Sequence, residues 1–479
     1  MPKALQPHPD RALPAGEARE VARRIYESVR DLPLLCFHGH VEAELFAHDE
    51  PFGNPADLLV VPDHYVTRML VSQGVSLDRL GVPRTDGSRS AEPREIWREF
   101  CAHWHLFRGT PSRYWIEHEL AEVLGLTLAP SAETADQLYD EISARLAEPA
   151  FRPRALLDSF RIELISTTDA ATADLTHHET LAAELPGRVI PTFRPDALVK
   201  VNQHGWSDYV NLLGEKSGTD TTTYDGFIEA LCRRRRVFVE AGALATDHGH
   251  LSASTQPLTD DAARGIYAAA LRGESTEADA SAFAGHMLFQ MAAMSVEDGL
   301  VMQLHPGVLR NYDSAVHSAY GADMGYDIPV GAEITRSLQP LLERFGHAEG
   351  FGLVLFTVDE TVYSRELAPI AGVYPSVRLG APWWFLDSPD GMRRFRELVT
   401  ETAGFANMSG FVDDTRAFLS IPARHDLARR VDAGYLARLV VEHRLEEDDA
   451  FEVAQDLAYN LANTTYRCER SGSRLASSG

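Results

Sequence analysis

Leu34-Leu35-Cys36-Phe37-His38-Gly39-His40 sets an apolar run directly before two histidines separated by one glycine. The run reads as a short buried strand. Alternation along the extended strand end turns both imidazoles to one side, where two neutral nitrogens can converge on one divalent metal. A polar strand terminus in a surface turn has the same appearance, so the weight of the motif depends on what stands at equivalent points further along.

Those points recur with a regular cadence. Short apolar runs alternate with amphipathic helical patterns, and each run ends in polar residues: Ile162–Ile165 before Ser166-Thr167-Thr168-Asp169, Val189–Phe193 before Arg194-Pro195-Asp196, Ala243–Ala245 before Thr246-Asp247-His248. Leu300–Leu304 precedes His305, Leu353–Val358 precedes Asp359-Glu360, Val377–Leu379 precedes the tryptophans, and Met408–Val412 precedes Asp413-Asp414. With the His38 strand these make eight. The intervening segments carry helix periodicity and glycine stops, Tyr224–Ala241 closing at Gly242, Ser281–Asp298 at Gly299, Ile334–Phe345 at Gly346 and Gly391–Ala403 at Gly404. Eight strands each followed by a helix predict an α/β fold, a (β/α)8 TIM-like barrel whose functional residues gather at the C-terminal strand ends. A long, mainly helical insertion follows strand 1, with periodicity around Arg94–Phe100, Tyr114–Leu124 and Thr134–Leu146. The expected organisation is an N-terminal helix and barrel strand 1 over residues 1–41, the helical insertion over 42–155, the remainder of the barrel over 156–470, and a disordered tail over 471–479.

Composition narrows the function classes. At 44% hydrophobic and 24% charged, the 479 residues are those of an ordinary globular enzyme, with no leader pattern and no uninterrupted apolar stretch long enough to span a bilayer. A cytoplasmic protein without a membrane partner is expected. A net charge of −25 repels polyphosphate backbones, and the basic run Arg233–Arg236 reads as the solvated face of a helix, so nucleic acid is not an expected partner. Cys36, Cys101, Cys232 and Cys468 are scattered without a CxxC pair and read as buried thiols. In so acidic a chain an anionic ligand must be gripped by local arginines.

Strand eight lies beside strand one in a closed barrel, so Asp413 or Asp414 can complete a metal site begun by His38 and His40. Two imidazoles and a carboxylate suit Zn²⁺, Mn²⁺ or Fe²⁺. Strand four ends without a lysine and strand six without a histidine, so the ligands of a second metal are missing and one divalent metal is expected. His305 is then free to act as a third nitrogen ligand or to hydrogen-bond substrate. Asp63-His64-Tyr65 lies early in the insertion, where a tyrosine can shuttle protons and a histidine can set its ionisation. Arg194 and Arg416 are candidate carboxylate clamps, and Trp383-Trp384-Phe385 offers either a stacking face for a sugar ring or barrel-to-helix packing. His177-His178, His103, His105 and His118 lack a partnering carboxylate pattern and read as structural or surface groups.

Taken in order, HGH at His38–His40, DHY at Asp63–Tyr65, TTD at Thr167–Asp169, RPD at Arg194–Asp196, TDH at Thr246–His248, QLHPGVLRN at Gln303–Asn311, WWF at Trp383–Phe385 and DDTRAFLS at Asp413–Ser420, followed by Arg424-His425, resemble the uronate isomerases, a divergent branch of the amidohydrolase superfamily. The resemblance runs from about Ala18 to Tyr466. It implies one metal, zinc first with manganese or iron as the other options, held by His38, His40 and Asp414. It further implies substrate contacts from His64, Arg194, His305 and Arg416, with Trp384 beside them, and proton transfer involving Tyr65 or Asp414. The implied reaction is aldose–ketose isomerisation of a hexuronate, D-glucuronate to D-fructuronate or D-galacturonate to D-tagaturonate. Val41–Glu44, Asp359–Thr361 and Arg378 depart from the family pattern and bear on substrate preference. A mononuclear hydrolase or decarboxylase acting on a small carboxylate is the alternative, since Asp414 can also deprotonate water. A sugar-acid binding protein has no need of a metal triad. Whether copies of the chain associate is left open.

Overall fold

The computed structural model describes residues 3–467; Cys468 and the tail expected over 471–479 lie outside the described residues. Among the described residues the strands are β1 (Leu34–Cys36), β2 (Ile162–Ser166), β3 (Asp169–Ala170), β4 (Val189–Ile190), β5 (Phe193–Arg194), β6 (Ala245–His248), β7 (Val301–Leu304), β8 (Val308–Leu309), β9 (Ile328–Pro329), β10 (Leu353–Leu355) and β11 (Val377–Leu379). They form a sheet of order β1-β2-β4, a sheet of order β11-β10-β7-β6-β5-β3, and an antiparallel β8-β9 ribbon; every pairing in the two larger sheets is parallel. Two residues separate β2 from β3 and two separate β4 from β5. Since β2 pairs with β4 and β3 with β5, each of these couples is one interrupted barrel strand, and the sheets join into a single parallel series of seven.

The eighth position is filled by backbone that is not a regular strand. Met408 bridges to Leu379, and further on Asp414 N–H donates to the His38 carbonyl at 3.2 Å while His40 N–H donates to the Thr415 carbonyl at 3.0 Å. The strand expected over Met408–Val412 is thus reduced to one bridge. Gly410 explains this: its φ of +81° breaks the extended run. The architecture is the TIM-like α/β barrel.

Alternation along β1 shows how the barrel is filled. Leu35 and Phe37 pack inward with Leu164, Ile190, Ala245, Val301 and Val354 from the neighbouring strands, whereas Leu34 and Cys36 face the helices that follow. Tyr466, from the last described helix, stacks on Phe37 with ring centroids 4.3 Å apart. Between β1 and β2 the chain is helical, including Pro93–Ala102, Pro111–His118 and Ala135–Leu146. Pro93 and Pro111 stand in first turns, where their fixed φ suits a helix and no amide hydrogen is needed, and Thr110 accepts from Arg113 N–H as a cap. Ile96, Trp97, Phe100 and Cys101 bury one helical face, with Trp97 Nε1 donating to the Ala135 carbonyl at 2.9 Å. Each such large apolar side chain contributes about 1.5–3 kcal/mol on burial, which anchors the insertion on β1 and β2.

Three expectations need correcting. The strand placed at Ala243–Ala245 runs to His248, so Thr246, Asp247 and His248 lie within it; buried partners receive Asp247, so its charge does not end the strand. The basic run is only half solvated: Arg235 is buried against Asp298 and Arg234 donates to the carbonyls of Ala171 and Ala173. Arg378 reaches back to the carbonyls of Pro375 and Val377 at the start of β11, away from the barrel mouth. Cys36 and Cys101 are buried thiols as expected, and Cys232 is half-buried.

A Cβ on Gly410 would lie 2.7 Å from the Ala462 Cβ and 2.9 Å from its backbone nitrogen, at a φ that L-residues avoid. Gly410→Ala is therefore expected to destabilise the protein by about 1–3 kcal/mol, read as a lower urea midpoint at unchanged m-value.

Candidate active site

Barrel closure brings the two ends of the sequence motif together. His40 Nε2 lies 3.1 Å and His38 Nε2 3.3 Å from the same oxygen, Asp414 Oδ1. That oxygen is buried and makes no hydrogen bond. A carboxylate oxygen facing two imidazole nitrogens without an aligned proton between them has the arrangement of a ligand set, and the three residues fit one divalent ion. Asp413 is turned the other way, with Oδ2 3.4 Å from His425 Nε2, which in turn lies 3.8 Å from Cys36 Sγ. Asp414 adopts φ +43°, a left-handed conformation that reverses the chain and swings its carboxylate towards the histidines. Although burial opposes its charge, His38 and His40 hold the Asp414 carboxyl well below the usual carboxylate range.

Asp247 stands behind this group. Its carboxylate, fully buried, meets His305 Nε2 at 2.5 Å, Arg194 Nη1 at 3.3 Å and His38 Nδ1 at 3.7 Å. Burial raises its pKa, but His305 and Arg194 outweigh that cost and keep it ionised. Asp247 thus ties His38, His305 and Arg194 into one unit, in the manner of a carboxylate that orients a ligand histidine. Arg194 is further held by Asp196 Oδ2 at 3.0 Å, whose carboxylate also accepts from Gly249 N–H.

The insertion supplies the opposite wall. Asp63 Oδ1 accepts from Tyr65 N–H and caps the helix His64–Val71, which presents His64 and Tyr65 in its first turn. Trp384 Nε1 donates to His64 Nε2 at 3.1 Å, and burial pushes that imidazole towards its neutral form. Tyr65 Oη donates to Asp387 at 2.9 Å and accepts from Phe385 N–H at 2.8 Å. At the rim Arg416 Nη2 pairs with Asp323 at 2.7 Å, both groups more than a third exposed.

All nine residues singled out from the sequence, His38, His40, His64, Tyr65, Arg194, His305, Trp384, Asp414 and Arg416, line one cavity of about 370 Å3. Asp196, Asp323, Asp327 and Arg310 line it too, and sequence reasoning passed over them; Asp247 and Asp387, the buried carboxylates behind the wall, were equally missed. Asp247 carried a usable signal, a charge directly following the apolar run Ala243–Ala245. Asp387 carried none, because it sits in irregular chain after β11. Asp359-Glu360 is spent on local structure, Asp359 accepting from Thr361 N–H and Glu360 pairing with Arg394. Asn311, Asp323, Trp384 and Asp414 all have positive φ and all line the cavity, so backbone strain is concentrated where the polar groups converge.

A model of the family described as glucuronate isomerase matches residues 17–466. The chain belongs to that family. It is 51% identical over 471 residues to a uronate isomerase of Phenylobacterium zucineum, covering 98% of each chain. The crystal structure of glucuronate isomerase from Caulobacter crescentus superposes with a TM-score of 0.96 at 47% identity and 98% coverage of both chains. That of uronate isomerase from Thermotoga maritima does so with a TM-score of 0.90 at 30% identity, covering 96% of this chain and 99% of that one. As a member of the family the chain is an isomerase. Among the described residues no helix is long and apolar enough to cross a membrane.

Two outcomes follow from the geometry. Zinc titrated into chelator-treated protein should raise the thermal midpoint, and His38→Ala, still folded, should lose most of that rise, since a ligand that binds only the native state stabilises it by about 2.7 kcal/mol at one hundred times its Kd. The second concerns Glu119, buried in the insertion near Asp63 and Arg424, whose carboxyl is pushed by burial from 4.5 up to about 8. A folded pKa above the unfolded one means this group favours the native state below pH about 4.5 and loses that contribution as pH rises to about 8. Glu119→Gln should flatten the fall in unfolding free energy across that window, and an unchanged slope would count against it.

Proposed function

We propose that the chain interconverts an aldose and a ketose hexuronate, D-glucuronate with D-fructuronate or D-galacturonate with D-tagaturonate, using one divalent metal held by His38, His40 and Asp414. The observation that carries this reading is the convergence of those three side chains in a cavity also lined by two arginines, in a chain half identical to uronate isomerases over nearly its whole length. When bound, such an ion supplies a Lewis acid beside the sugar's carbonyl and hydroxyl oxygens; zinc is the first candidate, with manganese or iron next.

The remaining work falls to the chain. Isomerisation removes the proton from carbon 2, returns one to carbon 1 and moves a hydroxyl proton between the adjacent oxygens. Asp414, kept ionised by its histidine neighbours, is the carboxylate placed to take the carbon proton. Burial raises the Tyr65 hydroxyl well above its ordinary pKa, so it stays protonated and handles the hydroxyl proton. His64, neutral and fixed by Trp384, offers a second polar contact, and His305 offers its buried, unpartnered Nδ1.

The two arginines differ in availability. Arg194 is anchored by Asp196 and Asp247, which fixes where its guanidinium points. Among the described residues Arg416 is held by Asp323 at a partly exposed rim, a pairing worth little in water. A uronate carboxylate can replace Asp323 there, and Arg194 can orient the same acid group from the opposite side.

Incubation of metal-loaded protein with each uronate should give the corresponding ketose by NMR; turnover of neither would overturn the assignment. Arg416→Met and Arg194→Met should each raise KM by about tenfold or more, about 1.4 kcal/mol of lost binding, at unchanged metal content. Loss of metal in step with affinity would remove the arginines from the role of clamps.

A further inference from the structure

The geometry points to Asp387 as the residue that positions Tyr65 and fixes the direction of its hydroxyl proton. The inference rests on the proposed part of Tyr65 in proton transfer. Tyr65 belongs to the insertion, Asp387 to the loop after β11, and Arg424 to the helix Ile421–Val441 that follows the eighth barrel position. These three distant segments meet in one buried array. Asp387 Oδ1 accepts from Tyr65 Oη at 2.9 Å, and Asp387 Oδ2 accepts from Arg424 Nη1 at 2.9 Å. Phe385 N–H donates to the same phenol oxygen at 2.8 Å, from two successive residues, Trp384 and Phe385, held at φ +36° and +65°. Arg424 is pinned in turn by the Trp115 ring, 3.7 Å below its guanidinium carbon, and by the Asp413 carbonyl.

Each oxygen of Asp387 therefore has a separate task. Oδ2 neutralises Arg424, a structural duty. Oδ1 takes the phenol proton, and with Phe385 N–H already on the oxygen, Tyr65 is left with one lone pair and no free proton on its remaining side. Towards substrate it acts first as an acceptor. A hydroxyl proton arriving at Tyr65 Oη is balanced by the phenol proton passing to Asp387 Oδ1, which becomes a neutral acid, and the reverse movement restores both groups. No other reactant is required.

Asp387→Asn tests this without changing shape. Arg424 requires an acceptor, so the amide oxygen stays with it and the NH2 turns to Tyr65, which inverts the hydrogen bond and drives the phenol proton away from residue 387. With the metal-loaded enzyme, kcat should fall by about tenfold or more, with KM within about twofold and metal content unchanged; in a Tyr65→Phe background the same substitution should cost no more than about twofold. An undiminished kcat in Asp387→Asn, or an equal loss with and without the Tyr65 hydroxyl, overturns the inference. Full activity of Tyr65→Phe alone overturns instead the role given to Tyr65. If Asp387→Asn does not fold, the wild-type enzyme decides: a downfield, slowly exchanging hydroxyl proton in its NMR spectrum that vanishes in Tyr65→Phe supports the array, and its absence in the wild type overturns it.

Discussion

Two backbone hydrogen bonds, Asp414 N–H to the His38 carbonyl and His40 N–H to the Thr415 carbonyl, join the end of the chain's last barrel segment to the end of its first. Most of the site's geometry depends on that junction. The segment Gly410–Arg416 forms no regular ladder with β1, so these contacts, not an extended register, set Asp414 opposite the histidines. The left-handed turn at Asp414 is the local strain that permits it, and Gly410, with no Cβ, seats closely on Ala462 at a φ that glycine adopts freely. A left-handed conformation at a non-glycine residue such as Asp414 costs roughly 1–3 kcal/mol and persists only where the surroundings over-determine it. Here the surroundings are a closed barrel below and the helix Ile421–Val441 behind.

Charge within the cavity is arranged by alternation. Around the mouth the arginines face carboxylates, Arg194 with Asp196 and Asp247, Arg416 with Asp323, Arg310 with Asp327, while the imidazoles of His38 and His40 face Asp414. In a chain of net charge −25 the long-range field repels an acid, so the arginines of the mouth are the local groups that run against that field. Salt screens charges beyond about 8 Å at physiological ionic strength, so contact pairs decide affinity at the mouth. Burial then grades the pairs. Asp247 is inaccessible and fixes its partners, whereas Asp323 and Arg416 meet at the partly exposed rim.

How much of this was legible in the sequence follows from what each residue signals locally. The apolar runs at Leu34–Phe37, Ile162–Ile165 and Leu300–Leu304 announce themselves because a parallel barrel strand is buried on both faces. The run at Met408–Val412 predicts a strand for the same reason, and the glycine inside it is the sign that it does not pair regularly. His38 and His40 close the first apolar run and Asp413-Asp414 the last, so topology alone predicts that one of the two carboxylates meets the histidines. Asp387, Asp323 and Arg310 lie on irregular loops, where no periodicity links a position to the cavity and only the folded chain brings them in. The choice between Asp413 and Asp414 turns on one backbone dihedral, which no pattern of hydrophobicity encodes; there the family resemblance, not the residue pattern, had favoured Asp414.

The insertion's position gives the site its remaining property. His64 and Tyr65 come from the segment that follows β1, yet both are bound to the loop after β11, through Trp384, Phe385 and Asp387. Residues between β8 and β9 close the same side: Thr85 N–H donates to the Ala319 carbonyl, and Gly325 packs so near His64 and Arg68 that a Cβ would sit 3.3–3.4 Å from them. Three separately encoded segments thus roof a single cavity. Proton transfer gains from such a roof, since each fixed dipole acts more strongly where bulk water is excluded and needs no reorganisation as charge develops. A barrel mouth left open would keep His38, His40 and Asp414 together but lose that advantage. The aromatic and carboxylate contacts that hold the insertion down are therefore as much a part of the active site as the histidines beneath it.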